Sequence, residues 1–145
     1  MQETDNPSFS CGACPVEVFD SPWVGTIALI ENGEGKLLLL RRAVQPQSGL
    51  WDLPGGFLTK EETLDECLVR EVLEETGLAL EEVTYVGNSA STYGGHSSLA
   101  VIFKGTVEGD PTLSSENLEF RWWSPEGELP PLAFQDVIHA VDLWR

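Results

Sequence analysis

The sequence predicts an α/β fold in which a mixed β-sheet lies between two helices. Two apolar, strand-like runs flank the Asn32-Gly33 pair, which is a strong hairpin signal. An acidic segment with helical spacing follows at 64–76, and a second amphipathic segment at 133–144 closes the chain. Further strand-like runs lie between these two segments. The order of strands, helix, strands and helix therefore predicts an α/β/α sandwich.

Length and charge restrict the classes of function. A chain of 145 residues makes one domain with a sizeable core. Its 24 acidic and 8 basic residues leave a formal net charge of -16, which argues against a nucleic-acid partner because such proteins need a basic surface. A salt-adapted protein would have the same acidic surface. Without a signal-peptide pattern or an apolar run of about 20 residues, we expect a cytoplasmic protein with no membrane partner.

The N-terminal 1–22 form a segment distinct from the main domain, which we predict at 23–145. The segment contains Cys11 and Cys14, a CxxC pair that supplies half of a four-ligand zinc site. Either the pair binds zinc, with two chains pooling their cysteines in a homodimer, or it is a reduced surface pair. The third cysteine, Cys67, falls beside the helical glutamates, so we expect it to border the acidic site.

Two antiparallel strands are predicted at 23–31 and 36–42, joined by the Asn-Gly turn. The second strand ends at Arg41 and Arg42. A solvated strand end explains such residues, and a contact to a substrate phosphate is the alternative, because guanidinium offers a planar fork of donors. A short strand follows at 51–57, where Gly55 and Gly56 let the backbone approach a ligand or an ion closely.

The first helix is predicted at 64–76. Thr63 is the N-cap of a capping box with Glu66, and Gly77 provides the stop. At 3.6 residues per turn, four apolar residues share the side that we expect to pack on the sheet. They are Leu68, Val69, Val72 and Leu73.

Glu71, Glu74 and Glu75 fall within an arc of about 100° beside that packing side. A solvated acidic face is the ordinary interpretation of such a cluster. Here the acids border the packing side, and Arg70 is the only basic residue of the helix. Clustered carboxylate oxygens suit a hard cation such as Mg²⁺ (or Mn²⁺), which would convert their mutual repulsion into binding.

The remaining elements are predicted as a strand at 78–86, a polar loop at 88–96, strands at 98–107 and 119–124, and a helix at 133–144. Tyr93 and His96 of the loop either face a nucleobase or anchor the loop. The apolar stripe of the last helix, which should pack on the sheet, contains Phe134, Val137, Ile138, Val141 and Trp144. His139 lies off that stripe and is expected at the helix surface.

The spacing of the glycines, acids and arginine around the first helix resembles a known pattern. Gly56, Glu62, Arg70, Glu71, Glu74, Glu75 and Gly77 reproduce the Nudix box, G-x5-E-x7-R-E-U-x-E-E-x-G-U, with Val72 and Leu78 at the apolar U positions. So many constrained positions make the match far more specific than a lone glycine motif. The resemblance to the Nudix hydrolase family extends to the approach at 48–56 and to the segment at 116–130.

The resemblance implies a Nudix-type sandwich that hydrolyses a phosphoanhydride with a metal-activated water. Glu74 and Glu75 are then metal ligands together with the carbonyl of Gly55, and Glu71 is a ligand or the general base. Glu116 is an additional ligand or the base. Arg70 orients these carboxylates by ion pairing, with Glu66 a further partner at i−4.

The implied substrate is a small nucleotide, namely a nucleoside diphosphate linked to another moiety. We expect a nucleoside diphosphate sugar or ADP-ribose. The NADH-cleaving branch has an SQPWPFP-like segment where 89–96 read SASTYGGH, so we expect a substrate other than NADH. The alternatives are a nucleoside triphosphate pyrophosphatase and a non-catalytic nucleotide sensor. Sensors tend to lose the metal-binding glutamates, which are present here.

Overall fold

A computed structural model describes residues 7–10, 17–19 and 21–145 of the chain. Cys11 and Cys14 lie outside these residues, so the zinc hypothesis stays a prediction. The strands are β1 (Pro7–Ser10), β2 (Glu17–Phe19), β3 (Trp23–Glu31), β4 (Leu37–Arg42), β5 (Trp51–Asp52), β6 (Gly55–Phe57), β7 (Glu81–Tyr93), β8 (His96–Thr106) and β9 (Asn117–Trp123), and the helices are α1 (Leu64–Thr76) and α2 (Gln135–Trp144).

Strands β3 to β9 form one mixed sheet, and β1 pairs with β2 in a separate two-stranded sheet. The order in the large sheet is β5-β4-β3-β8-β7, with β6 beside β3 and β9 beside β4. The central pair, β3 and β8, is parallel along the whole length of β3, and the other pairings are antiparallel. This confirms the predicted mixed sheet.

Both faces of the sheet are covered, which explains the continuous apolar runs of its central strands. Ile27 and Leu29 of β3 face the core that contains α2, whereas Ala28 and Ile30 face the core that contains α1. Strand β4 alternates in the same way. The α/β/α sandwich predicted from the order of elements is therefore confirmed. No helix of the described residues is long and apolar enough to cross a membrane.

The turn predicted at Asn32 is correct, but the predicted pairing of the two strands along their length is wrong. The side-chain oxygen of Asn32 accepts the amides of Glu34 and Lys36, as an Asn turn should. Strands β3 and β4 pair only at Glu31 and Leu37, because β3 continues beside β6 while β4 pairs along its length with β9. The predicted strand at 51–57 is likewise divided into β5 and β6.

The predicted polar loop at 88–96 is wrong. Strand β7 extends to Tyr93, Gly94 and Gly95 form the turn, and β8 begins at His96. The polar residues were misleading because some of them face a cavity instead of a core. Ser91 and Ser98 form one register pair of this hairpin and both line the cavity described below.

Helix α1 is confirmed in its bounds and its caps. Thr63 and Glu66 form the reciprocal capping box, and Gly77 takes the left-handed conformation. The predicted packing side is wrong in part, because Val69 and Leu73 are 40% and 54% exposed. Cys67 and Thr76 are buried with Leu68 and Val72 instead, which turns the glutamate side of the helix toward β6.

Helix α2 begins at Gln135, two residues after the predicted start, and ends as predicted at Trp144. Val137 and Val141 are buried, whereas Ile138 of the predicted stripe is exposed. His139 is exposed, as expected.

Candidate active site

The two glycines of β6 bring the backbone against both the sheet and helix α1. A Cβ on Gly55 would lie 2.0 Å from the carbonyl oxygen of Thr26, and a Cβ on Gly56 would lie 2.3 Å from Cδ of Glu71. Only glycine leaves room for these approaches. The turn therefore packs directly against the carboxylate of Glu71.

A cavity of about 530 Å³ opens beside this turn, a size within the usual range for ligand sites. One wall contains the carboxylates predicted from sequence, and we call it the carboxylate end. It is formed by Gly55, Gly56, Glu71, Glu74, Glu75 and Glu116. Sequence reasoning missed the acid that lies nearest this wall along the chain, Asp52, because Asp52 precedes the glycine turn and belongs to no helical pattern.

The electrostatics of the carboxylate end centre on Glu75. The pKa of Glu75 is raised to about 8, mainly by burial and also by the charges of Asp52, Glu71 and Glu116, against the lowering effect of the hydrogen bond from the Gly55 amide. That amide donates to Oε1 of Glu75 over 2.9 Å. Burial also raises the pKa of Glu71 and of Asp52, although an arginine opposes it in each case. The acids thus repel one another in a partly dry environment.

Arg70 lies behind this wall and does not line the cavity. Its guanidinium donates to Glu62 over 2.6 Å and to Glu71 over 2.9 Å, and it is 3.3 Å from Glu74. The hydrogen bond from Arg70 lowers the pKa of Glu62 to about 2. Glu66 accepts the Thr63 amide, and the structure shows no bond from Arg70 to Glu66, unlike the predicted i−4 pair. Arg70 is therefore placed to hold Glu71 and Glu74 rather than to contact a ligand.

Cys67 is fully buried under the glycine turn. Its sulfur lies 3.6 Å from the Gly56 carbonyl and 3.6 Å from the Thr26 hydroxyl, and burial raises the pKa of the thiol. The residue borders the acidic site, where the sequence put it.

The paired arginines have different positions. Arg42 lines the cavity, donates to Asp52 over 2.8 Å and lies 5.0 Å from the ring centre of Phe134. Arg41 points elsewhere and bonds to Gly49 and Glu119. Successive residues of a strand face opposite sides, so of these two arginines only Arg42 can contact a ligand in the cavity.

The other wall of the cavity, which we call the α2 end, was largely missed by sequence reasoning. It contains Ser91, Tyr93, Ser98, Phe134 and Asp136. The ring of Tyr93 lies 5.3 Å from Phe57 and 5.5 Å from Phe134, so aromatic surface continues across the cavity. Of these residues only Tyr93 was predicted at a ligand site. His96 lies outside the cavity and stacks on Trp23.

The donor set of the carboxylate end fits a hard divalent cation. Its side-chain donors are carboxylate oxygens, which Mg²⁺ prefers, and the raised pKa values show that their negative charge is poorly compensated. Within 21–145 and the two short N-terminal strands, no three acidic, histidine or cysteine side chains are already gathered at ligand distances.

Comparison with known proteins gives a consistent result. The model of the NUDIX domain matches 22–140. Over 149 residues the chain is 32% identical to the mouse 8-oxo-dGDP phosphatase NUDT18, covering 99% of this chain and 45% of that protein. It is 33% identical over 129 residues to an ADP-ribose pyrophosphatase from Methanocaldococcus jannaschii, covering 86% and 75%.

A crystal structure of a MutT NUDIX hydrolase from Burkholderia pseudomallei superposes with a TM-score of 0.77 at 26% identity. The match covers 85% of this chain and 98% of that one. The chain spans about half the length of the first curated relatives that it matches, at 45% and 52%.

Proposed function

The chain belongs to the NUDIX family, and on that premise we propose that it is a pyrophosphohydrolase. The proposed reaction is Mg²⁺-dependent hydrolysis of a phosphoanhydride bond in a nucleoside diphosphate linked to another moiety. The observation that supports it best is the convergence of Glu71, Glu74, Glu75 and Glu116 on one cavity wall, where the pKa of Glu75 is raised to about 8. Such perturbed acids in a cleft are typical of functional sites.

Glu74, Glu75 and the carbonyl of Gly55 would hold the cation, with Glu71 or Glu116 as a further ligand. When bound, Mg²⁺ neutralises phosphate charge and lowers the pKa of a coordinated water. Either Glu71 or Glu116 would accept the proton of the attacking water. Arg70 keeps Glu71 in place through its 2.9 Å hydrogen bond. Because Gly56 has no Cβ, there is room for the Glu71 carboxylate beside the turn.

The opposite part of the cavity would receive the rest of the nucleotide. Arg42 is fixed by its bonds to Asp52 and to the Pro46 carbonyl, which leaves Nη2 for a substrate phosphate. Tyr93 offers the edge or face of an aromatic ring to a base. Nucleoside diphosphate sugars and ADP-ribose are the two substrate classes we propose, and the name of the archaeal relative supports the second.

A panel of nucleotides incubated with Mg²⁺ tests the reaction. Two monophosphate products would indicate cleavage of a diphosphate linkage, and pyrophosphate would indicate a nucleoside triphosphate substrate. Glu75→Gln should lose turnover, whereas Glu108→Gln, the same change at an exposed loop residue, should retain it. Absence of turnover across the panel, with binding of a nucleotide retained, would contradict the proposal and favour a nucleotide sensor.

The division into an N-terminal segment at 1–22 and a hydrolase domain at 23–145 is also a proposal, supported by a family match that begins at 22. Whether Cys11 and Cys14 bind zinc is tested by metal analysis of protein purified without chelator. Zinc that disappears in a Cys11→Ser, Cys14→Ser variant would support a site at the pair, and its absence from the unmodified protein would exclude one.

A further inference from the structure

The α2 end contains a carboxylate that the proposed hydrolysis does not use. Asp136 lies in the first turn of α2 and lines the cavity. Its Oδ1 accepts the hydroxyl of Ser89 over 2.6 Å, and its Oδ2 accepts the hydroxyl of Ser91 over 2.9 Å. The two serines come from one strand, β7, and hold both oxygens of the carboxylate in a set orientation.

This carboxylate retains capacity to bind a ligand. An ionised carboxylate has two oxygens with about four acceptor positions, and the serines use one position on each oxygen. The oxygens can therefore still accept two parallel N–H groups from one partner, as they do from an arginine fork. A ligand edge with two adjacent donors would match this arrangement.

Ser98 provides a second, independent indication of a ligand. Its side chain lines the same cavity, is only 6% exposed, and its hydroxyl has no hydrogen-bond partner within the described residues. Ser98 pairs directly with Ser91 across the β7–β8 hairpin, so its hydroxyl lies on the sheet beside the serine that holds Asp136. A buried hydroxyl without a partner is unfavourable, and a ligand acceptor would satisfy it.

Aromatic rings complete the surroundings of Asp136. Tyr93 lies between Phe57 and Phe134, with ring-centre distances of 5.3 Å and 5.5 Å. Flat aromatic surfaces stack on any base, so they favour a nucleobase over a sugar without choosing among bases. The choice must come from the polar groups at the edge.

We propose that the α2 end binds a guanine-type base, with Asp136 as the residue that determines base specificity. This inference rests on the proposed function and narrows its substrate to guanine nucleotides, away from ADP-ribose. The N1–H and 2-amino groups of guanine donate to the two oxygens of Asp136, and its O6 accepts the hydroxyl of Ser98. Guanine carries two donors and one acceptor in sequence along this edge, which is the complement of the groups in the cavity.

The other common bases fit less well. Adenine presents one amino donor beside the N1 acceptor, and cytosine presents one amino donor beside N3. Uracil presents a single N3–H between two carbonyl oxygens. In each case an acceptor of the base would face an oxygen of Asp136, which is repulsive.

The experiment compares hydrolysis of GDP-glucose and ADP-glucose in Mg²⁺ by wild type, Asp136→Asn and Asp142→Asn. One bidentate base contact is expected to favour guanine by about 10-fold to 100-fold in kcat/KM. Asp136→Asn should remove most of that ratio, because an amide has only one acceptor oxygen. Asp142→Asn is the same change on the exposed side of α2 and should leave the ratio unaltered. Ser98→Ala should lower the guanine rate more than the adenine rate.

Binding of GMP, IMP and AMP, measured by calorimetry without metal, separates this inference from the proposed function. Selective GMP binding, with IMP weaker because it lacks the 2-amino group, would support the base site even if no substrate is hydrolysed. Hydrolysis with equal rates for both bases would retain the enzyme and overturn the base site. An Asp136→Asn variant that loses only thermal stability, or that changes only the preference between ribose and deoxyribose substrates, would also overturn it.

Discussion

At the carboxylate end of the cavity, Glu75 is a partly buried carboxylate close to three other acids, and one backbone amide is its hydrogen-bond donor. At the α2 end, Asp136 is also a partly buried carboxylate, but two serine hydroxyls satisfy it. The acids around Glu75 repel one another, and a bound cation would relieve that repulsion. Asp136 has hydrogen-bond donors on both oxygens, and its remaining acceptor positions are open to a ligand. Under the two proposals, a carboxylate would bind a cation at one end and a ligand at the other, and the hydrogen-bond donors around it account for the difference.

The largest expected effect is at Glu75. Glu75→Gln removes the charge with little change of shape, and Gln can still accept the Gly55 amide. We expect hydrolysis to fall by about 100-fold to 1,000-fold, as when one electrostatic group is removed from a preorganised site. Steady-state kinetics in Mg²⁺ measures this. Near wild-type turnover would show that Glu75 is not a metal ligand and would erase the contrast with Asp136.

Gly56→Ala should separate activity from stability. The new Cβ would overlap the end of the Glu71 side chain, which can swing away, so the fold should be kept while the carboxylate moves. A displacement of about 1 Å can lower a rate by as much as about 100-fold. Gly33→Ala is the control, because nothing lies within 4 Å of its Cβ position. Unchanged turnover in Gly56→Ala would mean that the position of Glu71 is unimportant.

The stored repulsion predicts a pH dependence of stability. The pKa of Glu75 is about 8 in the folded chain against an ordinary value of 4.5, so folding favours its protonated form. That contribution is fully present below pH 4.5 and is lost as pH rises through about 8. Urea unfolding of the metal-free protein gives the difference in unfolding free energy between Glu75→Gln and wild type. We expect this difference to rise in favour of Glu75→Gln by about 2 kcal/mol as pH rises from 4.5 to about 8, after allowance for partial solvation. A difference in unfolding free energy that does not change with pH would contradict a raised pKa of Glu75 in the folded chain.

Arg42 tests the junction between the two ends. Arg42→Gln removes the guanidinium that lies between Asp52 and the ring of Phe134, so KM should rise by about 10-fold if this group binds a phosphate. Arg41→Gln is the matched control, because that side chain bonds to Gly49 and Glu119 outside the cavity. Equal effects of the two substitutions on KM would remove Arg42 from the substrate site.

The smallest expected effect is at the start of helix α1. Thr63→Ala removes the capping hydroxyl that accepts the Glu66 amide, which should cost about 1 kcal/mol of unfolding free energy. Thr63→Ser should retain that stability. Kinetic constants at 25 °C should not change, because the cap lies far along the helix from Glu75. A large loss of activity would mean that the carboxylate end depends on the whole helix being rigid.

Local patterns predicted the carboxylate end well. The capping box, the left-handed Gly77 and the spacing of the glutamates all act within one helix, so the sequence alone specified α1 residue by residue. The packing side was less predictable. Val69 and Leu73 fit an apolar stripe but are exposed, while the glutamate side of the helix lies close to Gly56 of β6.

The α2 end could not be found in this way. Its serines lie 45 and 47 residues from Asp136 in the chain, and their polar pattern in β7 is that of a loop. Only the pairing of β7 with β8, and the packing of α2 on that face of the sheet, shows that these side chains meet.

The sequence by itself thus determined the helix, its caps and the clustered acids, because these depend on hydrogen bonds and charges a few residues apart. Tertiary structure alone decided which acids are buried, which arginine faces the cavity and which polar residues of β7 and β8 meet α2. Those outcomes depend on how distant elements pack, since burial and long-range hydrogen bonds determine both the pKa of Glu75 and the orientation of Asp136.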